Sequence, residues 1–109
     1  MAGERLGRIV FRNTQEDNLE ITIDLIFIGY QPKRGIEYCG LWQDRREDYR
    51  CPFTVSTEGH VDFGTGYDDA DRYYQTDMLE KALSVGQRIA WSGNEDNGEY
   101  AVISMTPLI

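Results

Sequence analysis

The sequence is poor in the residues that cross-link or ligate, with two cysteines (Cys39 and Cys51) and one histidine (His60) among 109 residues. Two thiols cannot build a disulfide framework, and these two show no CxxC spacing. A structural zinc site uses four ligands, so Cys39, Cys51 and His60 together fall short of one. Apolar runs are also short, and none approaches the roughly 18 residues that a membrane helix needs. The opening residues Met1-Ala2-Gly3-Glu4-Arg5 lack the apolar stretch of a secretory signal. A cytoplasmic chain with free thiols is the expectation.

Positive charge is the next scarcity. The chain carries 11 basic and 19 acidic residues, a formal net charge of −8. Residues 58–109 contain only three of the basic ones, Arg72, Lys81 and Arg88, against ten carboxylates. Binding a phosphate backbone needs Lys and Arg to displace counterions, and this half cannot supply them. Arg45, Arg46 and Arg50 sit among Asp44, Glu47 and Asp48, so their field is largely cancelled. Nucleic acid is therefore disfavoured, and a basic protein partner or plain solubility fits better.

What the chain does have is apolar and aromatic content, 40% and 12%, too much for a disordered segment. Its length allows one domain, residues 1–109, with a core that needs no staples. Segment 6–12 reads as a strand from its β-branched and aromatic residues. Segment 19–30 alternates strictly through Leu19, Ile21 and Ile23, then turns apolar on both faces at Leu25, Ile26, Phe27 and Ile28. A strand apolar on both faces must be covered on both, and a homodimer through these four residues is one way to do it. Segments 36–42 and 49–56 flank a polar loop as a hairpin. Trp42 against Tyr49, Tyr38 against Phe53 and Ile36 against Val55 would match apolar with apolar. That register turns Cys39 away from Cys51, which argues against a cross-strand disulfide.

Further on, Ser56-Thr57-Glu58-Gly59-His60 predicts a three-residue hairpin loop with Gly59 left-handed, setting Val55 against Val61 and Phe53 against Phe63. Residues 64–76 show no period and read as an acidic, tyrosine-rich loop. A short helix is predicted over about 77–84, with Met78, Leu79, Ala82 and Leu83 on one stripe. Segments 87–92 and 99–106 form a last hairpin across Asn97-Gly98. The sum is an α+β, mainly antiparallel β domain: a curved seven-strand sheet or small barrel, with one short helix before the C-terminal hairpin. The order of meander, helix and hairpin loosely resembles oligonucleotide-binding barrels, but no family-specific motif accompanies it and the charge contradicts the usual ligand.

Few residues form a chemical constellation. Ser56, His60 and Asp62 would share one face near a hairpin tip, the weak beginnings of a nucleophile, base and orienting acid. No oxyanion donors or water-excluding wall accompany them. Cys51 lies five residues from the position opposite His60, roughly 16 Å at about 3.3 Å per residue, so a thiol–imidazole pair is excluded. Asp62, Asp68, Asp69 and Asp71 offer oxygen ligands, yet not in the spacing of a calcium loop. Gly64-Thr65-Gly66 lacks the rest of a phosphate-binding motif. No metal or cofactor is expected.

The aromatics are more informative: Tyr30, Tyr38, Trp42, Tyr49, Tyr67, Tyr73, Tyr74, Trp91 and Tyr100. Tyr and Trp combine contact area with a polar handle, which suits pockets and interfaces. Tyr67, Tyr73 and Tyr74 flank Asp68, Asp69 and Asp71, where no core period demands them. The expectation is a non-enzymatic binding module. Its loop 64–76, together with Tyr38 and Trp42 in an aromatic concavity, would take a protein partner or a small apolar ligand. Asp/His acid–base chemistry near Asp62 and His60 is the alternative.

Overall fold

The computed structural model describes residues 3–64, 73–93 and 97–108. Strands β1 (Glu4–Asn13) and β2 (Leu19–Ile28) show how a two-residue period becomes a wall. Ile9 and Phe11 on β1, and Ile21, Ile23, Leu25 and Phe27 on β2, point inward and are buried. The outward positions carry paired charges. Arg8 sits opposite Asp24 and Arg12 opposite Glu20 in the antiparallel register, and both pairs close hydrogen-bonded ion pairs at 2.8 Å. Opposite charges across adjacent strands thus support the same register as the buried face.

The remaining strands are β3 (Gln31–Pro32), β4 (Tyr38–Asp44), β5 (Tyr49–Val55), β6 (His60–Asp62), β7 (Tyr73–Thr76), β8 (Arg88–Ser92) and β9 (Asn97–Pro107). Each pairs antiparallel with its neighbours, and β1 pairs with both β2 and β9. That double pairing closes an eight-strand barrel, with β3 appended to β2 as a ninth strand. Closure removes the free edges that an open sheet would expose to other chains. The chain runs up and down around the wall, so the loose resemblance to oligonucleotide-binding barrels does not extend to the connectivity.

The predicted helix over 77–84 is absent. In its place stands one 3₁₀ turn, Met78–Glu80, followed by extended backbone at Lys81. Local helix propensity loses here to tertiary partners. The Asp77 carboxylate accepts from the Ala90 amide at 2.8 Å instead of capping a helix, and the Leu83 amide donates to the Tyr30 carbonyl at 2.8 Å. The segment is drawn across one end of the barrel, where Met78, Leu79 and Leu83 are buried as a plug. Ala82, placed on the apolar stripe by helical spacing, is exposed.

Two further corrections concern strands. Residues 73–76 form β7, not loop: Val61 faces Tyr74 and His60 faces Gln75. The β4–β5 hairpin pairs Trp42 with Cys51 and Tyr38 with Val55, two residues away from the expected register. A slide of two leaves every side chain on its face, so periodicity alone cannot detect it. Gly40 decides the matter. It sits opposite Phe53, and a Cβ there would lie 2.5 Å from the Phe53 ring. The glycine makes the space that the ring occupies. The β5–β6 hairpin matches expectation, with Val55 opposite Val61 and Gly59 at φ +85°. Phe53 and Phe63 meet edge to face at 5.8 Å. Neither cysteine forms a disulfide; Cys39 is exposed and Cys51 buried.

Leu25 and Phe27 belong to the barrel interior and are closed to an intermolecular contact. Of the four residues proposed for a homodimer, Ile26 is half-buried against the core and Ile28 is exposed. No described helix is long and apolar enough to cross a membrane.

Candidate functional site

With one end plugged, the apolar interior opens at the other. The upper ends of β1, β2, β4, β5, β8 and β9 surround a cavity of ≈ 390 Å³. Six aromatic side chains line it: Trp42, Tyr49, Phe63, Tyr74, Trp91 and Tyr100. They form a continuous packed set. Trp91 meets Phe53 at 5.3 Å, Tyr74 at 6.1 Å, Phe63 at 6.3 Å and Tyr100 at 6.0 Å between ring centroids. Tyr74 stands edge to face on Phe63 at 5.5 Å, and Tyr49 does the same on Trp42 at 6.1 Å. Such geometries set a ring edge against a neighbour's face, which fixes both rings beyond simple burial. Leu19 and Cys51 complete the apolar wall.

The polar groups are few and convergent. The Trp42 indole N–H donates to the Tyr100 hydroxyl oxygen at 3.1 Å. The Asn13 side-chain amide lies beside that hydroxyl and favours its ionised form. Its own Oδ1 accepts from the Gln15 and Glu16 amides, both at 2.9 Å, which leaves the NH₂ end facing Tyr100. Gly98 permits this approach, since a Cβ there would lie 3.2 Å from the Tyr100 ring and 3.3 Å from the Asn13 nitrogen. Burial pushes the Tyr100 phenol above its ordinary value, the donated hydrogen bonds oppose the shift, and the nearby Glu16 charge adds to it. Tyr100 is neutral at physiological pH. Glu16 and Asn97 mark the rim.

Two loops at this end are tied together. The Arg45 amide donates to the Asn18 carbonyl at 2.9 Å, and the Asn18 side chain donates to Asp44 at 2.7 Å. The Asn18 hydrogen bond holds the Asp44 carboxyl below its usual range. The opening is therefore braced by its own hydrogen bonds on the β1–β2 and β4–β5 side.

Of the residues singled out from sequence, Trp42 and Tyr74 line the cavity. Tyr74 does so as a half-buried strand residue packed on Phe63 and Trp91, and not as a free loop aromatic. Tyr38 is elsewhere. Its hydroxyl donates to the Lys33 carbonyl at 2.7 Å near the plugged end, locking the turn after β3. Tyr67, Asp68, Asp69 and Asp71 lie outside the described residues, as does the Tyr73 side chain. The chain leaves β6 and enters β7 at the open end, beside the cavity-lining Phe63 and Tyr74.

Ser56, His60 and Asp62 do not converge on a cleft. The Ser56 hydroxyl accepts from the Glu58 and His60 backbone amides at 3.3 and 3.1 Å, which makes it a turn-former. His60 is exposed and lies 3.6 Å from Glu58, while Asp62 caps the Gly64 amide at 2.7 Å. Among the described residues no cluster of three or more His, Cys, Asp or Glu is placed to hold a metal ion.

Sequence reasoning named Tyr49, Trp91 and Tyr100 only within the general aromatic set, and missed Asn13, Glu16 and Gly98. The available signal was positional. Inward-facing residues near one end of successive up-and-down strands must share a layer. No family model, curated protein or solved structure matches the chain.

Proposed function

We propose that this protein is a small-ligand-binding barrel whose open end takes a compact apolar molecule among its aromatic side chains. The observation that carries the reading is the cavity itself: ≈ 390 Å³, six aromatic walls and a buried hydroxyl, at the barrel end opposite the Met78–Leu83 plug. Ligand sites are typically concave, mostly apolar and fitted with a few convergent polar groups, and cavities of about 300–1,000 Å³ are usual. Eight-strand barrels have interiors just wide enough to hold side chains or one small ligand. Fold alone assigns nothing, so the argument rests on the lining.

The site offers binding without evident chemistry. The one carboxylate among the described lining residues, Glu16, stands at the rim. The expected acidic-loop recognition of a basic partner rests on the sequence alone and is the weaker half of the same proposal. Isothermal titration with 2-acetylnaphthalene, a planar probe that fits such a volume, tests the reading. Saturable one-to-one binding supports it. A flat trace to the solubility limit of the probe contradicts it.

A further inference from the structure

The polar end of the cavity has a direction. Tyr100 is 3% exposed, and its oxygen accepts from the Trp42 indole N–H, with the Asn13 side chain beside it. A phenol oxygen has one proton to give besides the bonds it accepts. Among the described residues nothing accepts that proton, and Tyr100 lines the cavity. The Trp42 donor fixes one side of the oxygen, and among the described residues its O–H is left without an acceptor. An unpaired buried donor is costly, so an occupant that accepts from it is favoured over one that cannot. The rim carboxylate of Glu16 and a net charge of −8 act against an anionic acceptor.

Taking the ligand-binding reading as its base, we infer that the cavity selects neutral planar molecules bearing a carbonyl or ring-nitrogen acceptor, and that the Tyr100 hydroxyl donates to that acceptor. The aromatic walls supply contact area for the ring system, while Tyr100 sets which end enters first. Trp42 is the positioning residue that holds the Tyr100 oxygen in place.

A matched pair of probes separates the two levels of the claim. 2-Acetylnaphthalene carries the acceptor, and 2-isopropylnaphthalene has the same shape without it. The wild-type chain should bind the ketone about ten-fold more tightly than the hydrocarbon, the ratio expected of one hydrogen bond worth about 1.4 kcal/mol. Tyr100→Phe should bring the two affinities together while hydrocarbon binding persists. Equal affinities in the wild type overturn the acceptor inference and leave ligand binding intact. Failure of both probes overturns ligand binding as well.

Because Tyr100→Phe also strips Trp42 of its acceptor, an infrared measurement on the unaltered protein stands beside it. The carbonyl stretch of carbon-13-labelled 2-acetylnaphthalene should fall below its frequency in hexane when bound. A hexane-like frequency overturns the assignment of Tyr100 as donor.

Discussion

The Trp42 indole donates to the Tyr100 hydroxyl across 58 residues of sequence, joining β4 to β9 over the open end of the barrel at 3.1 Å. The bond links two strands that are not neighbours in the sheet, so it braces the mouth across its diameter. Trp42→Phe keeps an aromatic ring but removes the donor and part of the indole's packed area. It should cost at least about 1 kcal/mol in denaturant unfolding, the usual net value of such a bond, with the lost ring area adding to it. It should also loosen the preference for an acceptor-bearing probe, because Tyr100 would then be free to rotate its proton. Unchanged stability and unchanged preference together would show that the bond has no positioning role.

Gly40 and Phe53 provide a test of packing. Gly40→Ala places a methyl group 2.5 Å from the Phe53 ring, and overpacking of this kind costs about 1–3 kcal/mol. In a Phe53→Ala background the same change should cost clearly less, because the ring clash is gone and only the 3.0 Å approach to the Thr22 carbonyl oxygen remains. A double-mutant cycle by urea denaturation measures the coupling, and additive costs would refute the contact.

The plug is testable through Leu83, which is fully buried in a segment with little regular structure of its own. Leu83→Ala should destabilise the fold by about 2–5 kcal/mol, as for a core leucine. A surface-like cost below 0.5 kcal/mol, read from the urea midpoint, would show that the segment does not seal the barrel.

Dependence on pH follows from four groups. Hydrogen bonds from Arg8 and Asn18 depress Asp24 and Asp44 respectively. The stability they contribute is complete above the ordinary carboxylate value and is lost as the pH falls through their depressed folded values. The double variant Asp24→Asn/Asp44→Asn should flatten the acid side of the melting-temperature profile. Tyr38 and Tyr100 are raised, chiefly by burial, so the folded chain favours their neutral forms. That stability is complete below the ordinary phenol value near 10.0 and declines as the pH rises through their folded values. In an absorbance titration of phenolate formation, Tyr38 and Tyr100 should ionise above the ordinary phenol value, and Tyr100→Phe should remove one late transition.

How far the sequence carried this account depends on the residue. The alternation of β2, the bulge at Gly59 and the faces of β4 and β5 were all readable, because burial imposes a period of two. Their register was not, because a two-residue slide preserves that period and only the Gly40–Phe53 contact breaks the tie. The helix failed at Asp77, whose carboxylate is taken by Ala90, a partner 13 residues away that no local pattern reveals. Tyr74 was sorted with the acidic loop because β7 has only four residues and follows a stretch without a period. The site was the least legible part. Asn13, Trp42 and Tyr100 come from three separate strands, and only barrel closure through the β1–β9 pairing brings them together.

The chain contains two tryptophans, and both line the cavity, which gives the central claim a direct reporter. In a ¹H–¹⁵N correlation spectrum the Trp42 and Trp91 indole N–H signals stand apart from the backbone. Titration with 2-acetylnaphthalene should shift both saturably and together, while amides of the plugged end, such as Leu83, stay in place. Indole signals that remain fixed while the probe binds elsewhere, or does not bind, would contradict a ligand site at the open end.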